Sequence, residues 1–278
     1  MIRESEATQR LLQASGLPPT LEPSQIRYYL YEGDQQRVVY KMREVIGQVL
    51  THTMPDSSQE QQARYDEYLK TLVNTHALWA VIPCCPPNPS ARDRRRYSND
   101  LRITSAYLRE ALRLRTMDQP AAVALVLSKI DTLFEDAGEA RATLTNDVLR
   151  SALGPLVHLV DQSTHVSEAV ILPVTAFGFG NAVRREGDGG PAEPDDDPFG
   201  SEPVWLLKEN AAPQPFNLDT LVVWTLLFGL RAQENPTMLE DRSDIGGLCR
   251  MLEDDLLGED RWIVPLKGRL AGARSLGE

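Results

Sequence analysis

An unbroken apolar run at residues 121–127 (AAVALVL) constrains the fold of this chain more than any other feature. A run of this length that follows a proline, Pro120, is typical of a strand buried on both faces, as in a parallel sheet covered by helices. The chain then becomes polar at Ser128, Lys129 and Asp131. Because open α/β sheets bind ligands at the carboxyl ends of their strands, these three side chains are candidate binding residues.

The pattern along the chain alternates between strands and helices after an initial hairpin. The predicted strands are residues 25–31, 37–42, 77–82, 121–127 and 169–174, and the main predicted helices are residues 97–115, 136–159 and 217–232. Such alternation implies right-handed strand–helix–strand crossovers. The sequence therefore predicts an α/β fold: a three-layer α/β sandwich with a mostly parallel sheet.

Composition divides the chain into a predicted domain and a shorter appendage. Residues 1–232 are predicted to form the α/β domain, and residues 233–278 a C-terminal helical extension that contains one modest helix at 244–257 and an apolar patch at 262–266. Within the domain, residues 181–203 are rich in glycine, proline and aspartate and have few apolar side chains to bury. This composition predicts a disordered acidic insertion.

The charge of the chain limits its partners. The formal net charge of -11 argues against nucleic acid or an anionic membrane as the main partner. One local exception is the basic run at residues 92–96 (RDRRR). We interpret this run as a solvated loop or helix start, and a contact with phosphate or with an acidic partner is the alternative.

Three cysteines, Cys84, Cys85 and Cys249, indicate neither a disulfide framework nor a zinc site, because their number is odd and no CxxC spacing occurs. A nucleophile at Cys84 or Cys85 would need a partner histidine, which the sequence does not identify. The apolar run at 221–230 is about half of the ~20 residues that span a bilayer, and the charged residues 1–10 do not resemble a signal peptide. The protein is predicted to be soluble and cytoplasmic.

The polar residues after the buried strand suit guanine recognition. A single carboxylate, such as that of Asp131, satisfies the N1 and N2 donors of guanine with two parallel hydrogen bonds. The aliphatic stem of Lys129 can lie along the plane of the base. The alternative is that Ser128 and Asp131 cap the helix that follows.

Residues 128–131 (Ser-Lys-Ile-Asp) resemble the guanine motif Asn/Thr-Lys-x-Asp of the P-loop GTPases, in particular their translation-factor-like branch. The last motif of that family, Ser-Ala-Lys or Ser-Ala-x, resembles Thr175, Ala176 and Phe177, which follow the next strand. The resemblance implies that backbone N–H groups of this second motif lie near the guanine O6. It also implies a GTPase-like fold and a site for GTP or GDP.

The resemblance extends upstream to the predicted switch and magnesium elements. The family motif Asp-x-x-Gly resembles Glu44 and Gly47, and Gln48 follows where such GTPases carry the glutamine that orients the attacking water. Thr20 lies where the switch threonine is expected. The resemblance thus implies Mg²⁺ at Glu44 and Thr20, a phosphate contact at Gly47 and a catalytic role for Gln48. In the alternative interpretation, Gly47 ends a strand and Thr20 is an ordinary loop residue.

The phosphate-binding motif GxxxxGK[ST] does not occur in the sequence. The backbone N–H groups, lysine and hydroxyl of that loop neutralise the nucleotide phosphates, so hydrolysis is not expected of this chain as given. Either the chain begins within the family's first helix and lacks the first strand and phosphate loop, or it is a half-site completed by another chain. The sequence predicts a divergent, bacterial-type guanine-nucleotide switch with a protein partner. The alternatives are an inactive GTPase-like scaffold for protein interactions and an unrelated α/β domain.

Overall fold

A computed structural model describes residues 25–32, 35–43, 66, 70, 72–73, 75–85, 89–116, 120–185, 204–208, 212–233 and 242–275. The strands are β1 (Gln25–Glu32), β2 (Gln35–Arg43), β3 (Ala77–Pro83), β4 (Ala121–Ser128), β5 (Val166–Pro173), β6 (Ala182–Arg185), β7 (Val204–Leu207) and β8 (Val264–Lys267). The α-helices are α1 (Ala91–Arg113), α2 (Ala137–Thr143), α3 (Asn146–Ala152), α4 (Gly154–Gln162), α5 (Leu218–Gln233), α6 (Arg242–Leu257) and α7 (Arg269–Ser275).

The central sheet has four strands in the order β3-β4-β5-β8. Strands β3, β4 and β5 are parallel, and β8 is antiparallel to β5 at the edge. No residue from 121 to 127 in β4 is more than 2% exposed. The prediction of a strand buried on both faces is therefore confirmed.

Helices cover both faces of this sheet, because alternate residues of β4 enter two different apolar clusters. Val123 and Leu125 pack on the side of α1 and α4, with Leu108 and Leu156. Ala124 and Val126 pack on the opposite side against α5 and α6, where Trp224 is 1% exposed. Among the described residues, the fold is thus α/β with a mostly parallel open sheet, as expected.

The segment predicted as one helix over 136–159 is three helices, so that prediction is wrong. Asp136 and Thr145 are N-caps whose side chains accept hydrogen bonds from the backbone N–H groups of Glu139 and Val148, and they start α2 and α3. Pro155 lies in the first turn of α4, where its missing N–H is tolerated, whereas it would interrupt one continuous helix. The apolar periodicity continues across these caps, so it predicted one helix where there are three.

The C-terminal region adds a strand to the sheet, which the predicted helical extension did not include. β8 pairs with β5, and Ile263 and Val264 are buried at 1% and 2% exposure. The predicted acidic insertion at 181–203 also begins with structure, since β6 pairs with β7. Residues 186–203 lie outside the described residues, and the division into two parts at residue 232 stays a prediction.

The predicted hairpin near the N-terminus is present, with β1 and β2 paired antiparallel as a separate two-stranded sheet. None of the helices in the described part of the chain is both long and apolar enough to cross a membrane.

Candidate functional site

The two loops that carry the predicted guanine motifs meet at one edge of the sheet. β4 and β5 are neighbours and parallel, with Leu127 opposite Pro173. The pairing continues past the strands, since the backbone N–H of Val174 donates to the carbonyl of Leu127 at 2.8 Å. The residues that follow each strand are therefore held side by side.

Asp131 lies in this edge within a short 3₁₀ helix, Ile130–Thr132. Lys129, just before it, has a left-handed backbone (φ 61°) that turns the chain sharply, and its side chain is exposed. The turn is stabilised locally, because the Thr132 hydroxyl donates to the carbonyl of Lys129 at 2.7 Å. Asp131 itself is only 6% exposed, and its Oδ2 accepts a hydrogen bond from the hydroxyl of Thr175.

Thr175 is the centre of the second loop and is 1% exposed. Its backbone pairs with that of Phe216 in an isolated antiparallel bridge. Its Oγ1 donates to Asp131 and accepts from the backbone N–H groups of Phe177 and Gly178, at 3.2 and 2.8 Å. One hydroxyl thus connects the carboxylate to two main-chain donors.

The pKa of Asp131 is raised from its ordinary value. Burial of the carboxyl is the main cause, because removal of water disfavours the charged form. Hydrogen bonds from the Thr175 hydroxyl and from backbone N–H groups, including those of Phe177 and Gly178, oppose the rise. The site therefore holds a carboxylate that is destabilised by burial and partly compensated by donors.

The other predicted guanine-site residues occupy different positions around this centre. Ser128 is half-buried and donates from its Oγ to the carbonyl of Ile82 at 3.2 Å, which ties β4 to β3. Ala176 is exposed, and Phe177 is half-buried. Neither Ser128 nor Asp131 caps α2, since its N-cap is Asp136. The capping alternative is therefore excluded.

The remaining predicted site residues, Thr20, Glu44, Gly47 and Gln48, lie outside the described residues. Within the described part of the chain, no group of three or more histidine, cysteine or acidic side chains could hold a metal ion. The magnesium prediction at Glu44 and Thr20 stays a prediction.

Two residues that sequence reasoning missed hold the second loop in place. Gly178 has a positive φ of 89°, and a Cβ there would lie 2.3 Å from the carbonyl oxygen of Gln214. Asn217, also left-handed at φ 61°, donates from Nδ2 to the carbonyls of Pro173 and Trp262 at 2.8 and 2.7 Å. Glycine and asparagine are the residues that tolerate this backbone conformation best, and this is the only signal the sequence offered.

Burial raises the pKa of both adjacent cysteine thiols at the end of β3, which disfavours the thiolate form. Burial, followed in size by the effect of neighbouring Cys85, raises the pKa of the Cys84 thiol to about 12. The thiolate is the nucleophile in cysteine chemistry, so a thiol with this pKa is unreactive at neutral pH.

Chemically, the edge offers one buried carboxylate, one bridging hydroxyl and an exposed lysine, all contributed by two loops that a parallel sheet aligns. Comparison of the chain with protein-family models, with curated proteins and with solved structures finds no match. We therefore infer function from this geometry and from the sequence resemblance.

Proposed function

We propose that this chain is a divergent, GTPase-like guanine nucleotide-binding regulatory switch, and that the edge described above is its base-binding half. The observation that carries the proposal is the contact between Asp131 and Thr175, which joins the two loops where the guanine motifs were predicted. Loops after neighbouring parallel strands are the usual place for a nucleotide in an open α/β sheet.

The chemistry of Asp131 suits a purine with two adjacent donors. Oδ2 is held by the Thr175 hydroxyl, and this bond fixes the orientation of the carboxylate. In this proposal guanine takes up the remaining acceptor capacity of the carboxylate, with its N1–H and N2–H groups as the donors in place of some of the backbone N–H groups that now surround Asp131. The side chain of Lys129, two residues before Asp131, is exposed, and in this proposal its aliphatic stem covers one face of the base.

The phosphate groups and Mg²⁺ require further residues. In this proposal Glu44, Gly47, Gln48 and Thr20 serve the γ-phosphate and magnesium, and the strongest phosphate contacts come from a source other than a GxxxxGK[ST] loop in this sequence. Because phosphoryl transfer depends almost entirely on such contacts, nucleotide binding is proposed here and turnover is not.

A second candidate is a GTPase-like scaffold that has no nucleotide and binds protein partners. The observation that favours it is the low exposure of the two central residues, 6% for Asp131 and 1% for Thr175. In a scaffold, their hydrogen bond would serve only to fix the loops, since buried polar groups are normally satisfied by one another.

Isothermal titration of the chain with GDP and with ADP separates these candidates. The switch predicts heat for GDP and much weaker binding of ADP, because adenine presents an acceptor at N1 where guanine presents a donor. The variant Asp131→Asn should weaken GDP binding. Its matched control is Asp161→Asn, which makes the same chemical change at an exposed position of α4 and should not alter GDP binding. Equal affinities for GDP and ADP, or no binding of either, would contradict the switch, and the second result would favour the scaffold.

A further inference from the structure

Helix α1 carries a positive charge that the rest of the chain does not share. Its sequence contains seven arginines and three acidic residues, a net charge of +4. The whole chain carries -11, so the remainder carries -15. Such segregation of charge on one helix creates a local field that favours an anionic partner at that surface.

Three of these arginines form a regular row on the exposed side of the helix. Arg95, Arg102 and Arg109 are seven residues apart, and all three are exposed. Seven residues are nearly two helical turns, so the guanidinium groups repeat about every 10.5 Å along one flank. The apolar side of the helix lies about 100° around its axis from the row, and its Leu101 and Leu108 pack in the core cluster beside the sheet, so the direction in which the row faces is fixed.

The surface between the arginines of this basic row is not covered by large side chains. Small side chains, those of Ser98 and Ala106, separate the arginines and are exposed themselves. A shallow hollow of about 430 Å³ opens at the N-terminal half of the row, and its lining residues are Arg94, Arg95, Ser98, Asn99 and Arg102. In it, the Arg102 guanidinium is positioned by a 3.0 Å hydrogen bond to Oδ1 of Asn99.

Two of the three acidic residues of α1 already have local roles. Asp93 forms a capping box with Ser90, and its backbone N–H and carboxylate are both engaged there. Glu110 is paired with Arg113 in the last turn. Both of these contacts are made with residues outside the row, Ser90 and Arg113.

We propose that this basic row, Arg95, Arg102 and Arg109, is a docking surface for an acidic peptide segment of a partner protein. Charge complementarity selects an anionic partner, and the arginine fork suits carboxylates in particular. A short peptide is favoured over a nucleic acid because the rest of the chain carries a net charge of -15, which opposes the binding of a long polyanion. This inference does not depend on the nucleotide site.

Fluorescence anisotropy of a labelled oligo-glutamate of about eight residues, roughly the length of the row when extended, tests the surface, with the full chain as titrant at low salt. The key variant is Arg102→Glu, and the matched control is Arg250→Glu, an identical change at an exposed position of α6. We expect Arg102→Glu to weaken binding at least about fivefold and Arg250→Glu to change it less than about twofold. The triple reversal of Arg95, Arg102 and Arg109 should abolish binding, and circular dichroism checks that it folds.

Two results would overturn the proposal. Equal weakening by Arg102→Glu and Arg250→Glu would mean that only total charge matters and that the row has no special role. Tighter binding of a labelled DNA duplex than of oligo-glutamate, lost in the same triple variant, would reassign the surface to nucleic acid. Because Asp131 takes no part, either result leaves the GDP titration to be judged separately.

Discussion

The hydroxyl of Thr175 donates a hydrogen bond to Oδ2 of Asp131, although 44 positions separate the two residues in the sequence. Both side chains are buried at the carboxyl edge of adjacent parallel strands. The same hydroxyl accepts from the backbone of Phe177 and Gly178. This contact connects the two loops on which the proposed function depends, and it makes each of them sensitive to changes in the other.

Removal of the Thr175 hydroxyl should destabilise the protein. Thr175→Val keeps the shape of the side chain but removes its hydroxyl. The buried Asp131 carboxylate then loses one donor, and the backbone N–H groups of Phe177 and Gly178 lose their acceptor. A lost bond to a buried charged group typically costs about 1–3 kcal/mol. Urea unfolding measures the change in the free energy of unfolding, and Thr175→Ser, which keeps the hydroxyl, is the control. If Thr175→Val is as stable as Thr175→Ser, the bond contributes nothing.

The raised pKa of Asp131 should make stability depend on pH in a defined direction. A carboxyl whose pKa is higher in the folded state binds its proton more tightly there, so its contribution is greatest below the unfolded value, near 3.8. That contribution is lost as pH rises through the folded pKa. The uncharged Asp131→Asn variant lacks this loss, so its stability relative to wild type should increase from about pH 4 to pH 7.

The comparison with Asp131→Asn isolates this group from Glu168, whose pKa is also raised by burial. Denaturant unfolding at several pH values gives the difference directly. A relative stability of the variant that falls with increasing pH would show that the donors around Asp131 outweigh its burial, contrary to the account.

Gly178 should be intolerant of any side chain. Gly178→Ala places a Cβ 2.3 Å from the carbonyl oxygen of Gln214, at a φ of 89° that alanine rarely adopts. We expect a loss of at least about 1–3 kcal/mol. Gly229→Ala is the contrasting control, because it lies within α5 with no atom near its Cβ position, and there alanine should be neutral or stabilising by up to about 1 kcal/mol. Thermal unfolding that ranks the two variants the other way round would refute the prediction.

Loss of the buried ion pair at the opposite end of β5 should lower the free energy of unfolding by more than loss of an exposed ion pair would. The Arg231 guanidinium contacts Oε1 of Glu168 at 2.9 Å, and the two side chains are 10% and 8% exposed. Arg231→Met would leave the Glu168 carboxylate buried without this partner, at a cost of about 3–5 kcal/mol. Arg231→Met combined with Glu168→Gln should recover part of that loss. Additive losses in the double variant, measured by chemical unfolding, would show that the two residues do not interact.

The sequence predicted the elements whose signals are local and continuous. The apolar run at 121–127 specifies β4, and the rule that parallel strands end at one edge predicted that the loop of Asp131 would meet the loop of Thr175. The apolar composition of residues 217–232 also predicted a buried helix there, and α5 spans Leu218–Gln233.

The missed features depend on contacts between distant parts of the chain. The carbonyl of Gln214 leaves no room for a side chain at Gly178. Asn217 donates hydrogen bonds to two carbonyls that belong to different segments of the chain. β8 has only four residues and contains Pro265, so its sequence shows no alternation of apolar and polar residues that would predict a strand. Proline is tolerated in β8 because this strand lies at an edge of the sheet. A pattern within one segment of the sequence does not show which distant residues that segment will contact.

The most direct test of the central claim is a change of base specificity at Asp131. Titration calorimetry of wild type and Asp131→Asn with GDP and with xanthosine diphosphate gives four dissociation constants. The amide of asparagine donates to the 2-carbonyl of xanthine, whereas the carboxylate accepts from the 2-amino group of guanine. We expect Asp131→Asn to weaken GDP binding by about 10- to 100-fold and to strengthen binding of xanthosine diphosphate. Unchanged GDP affinity in the variant would contradict this expectation.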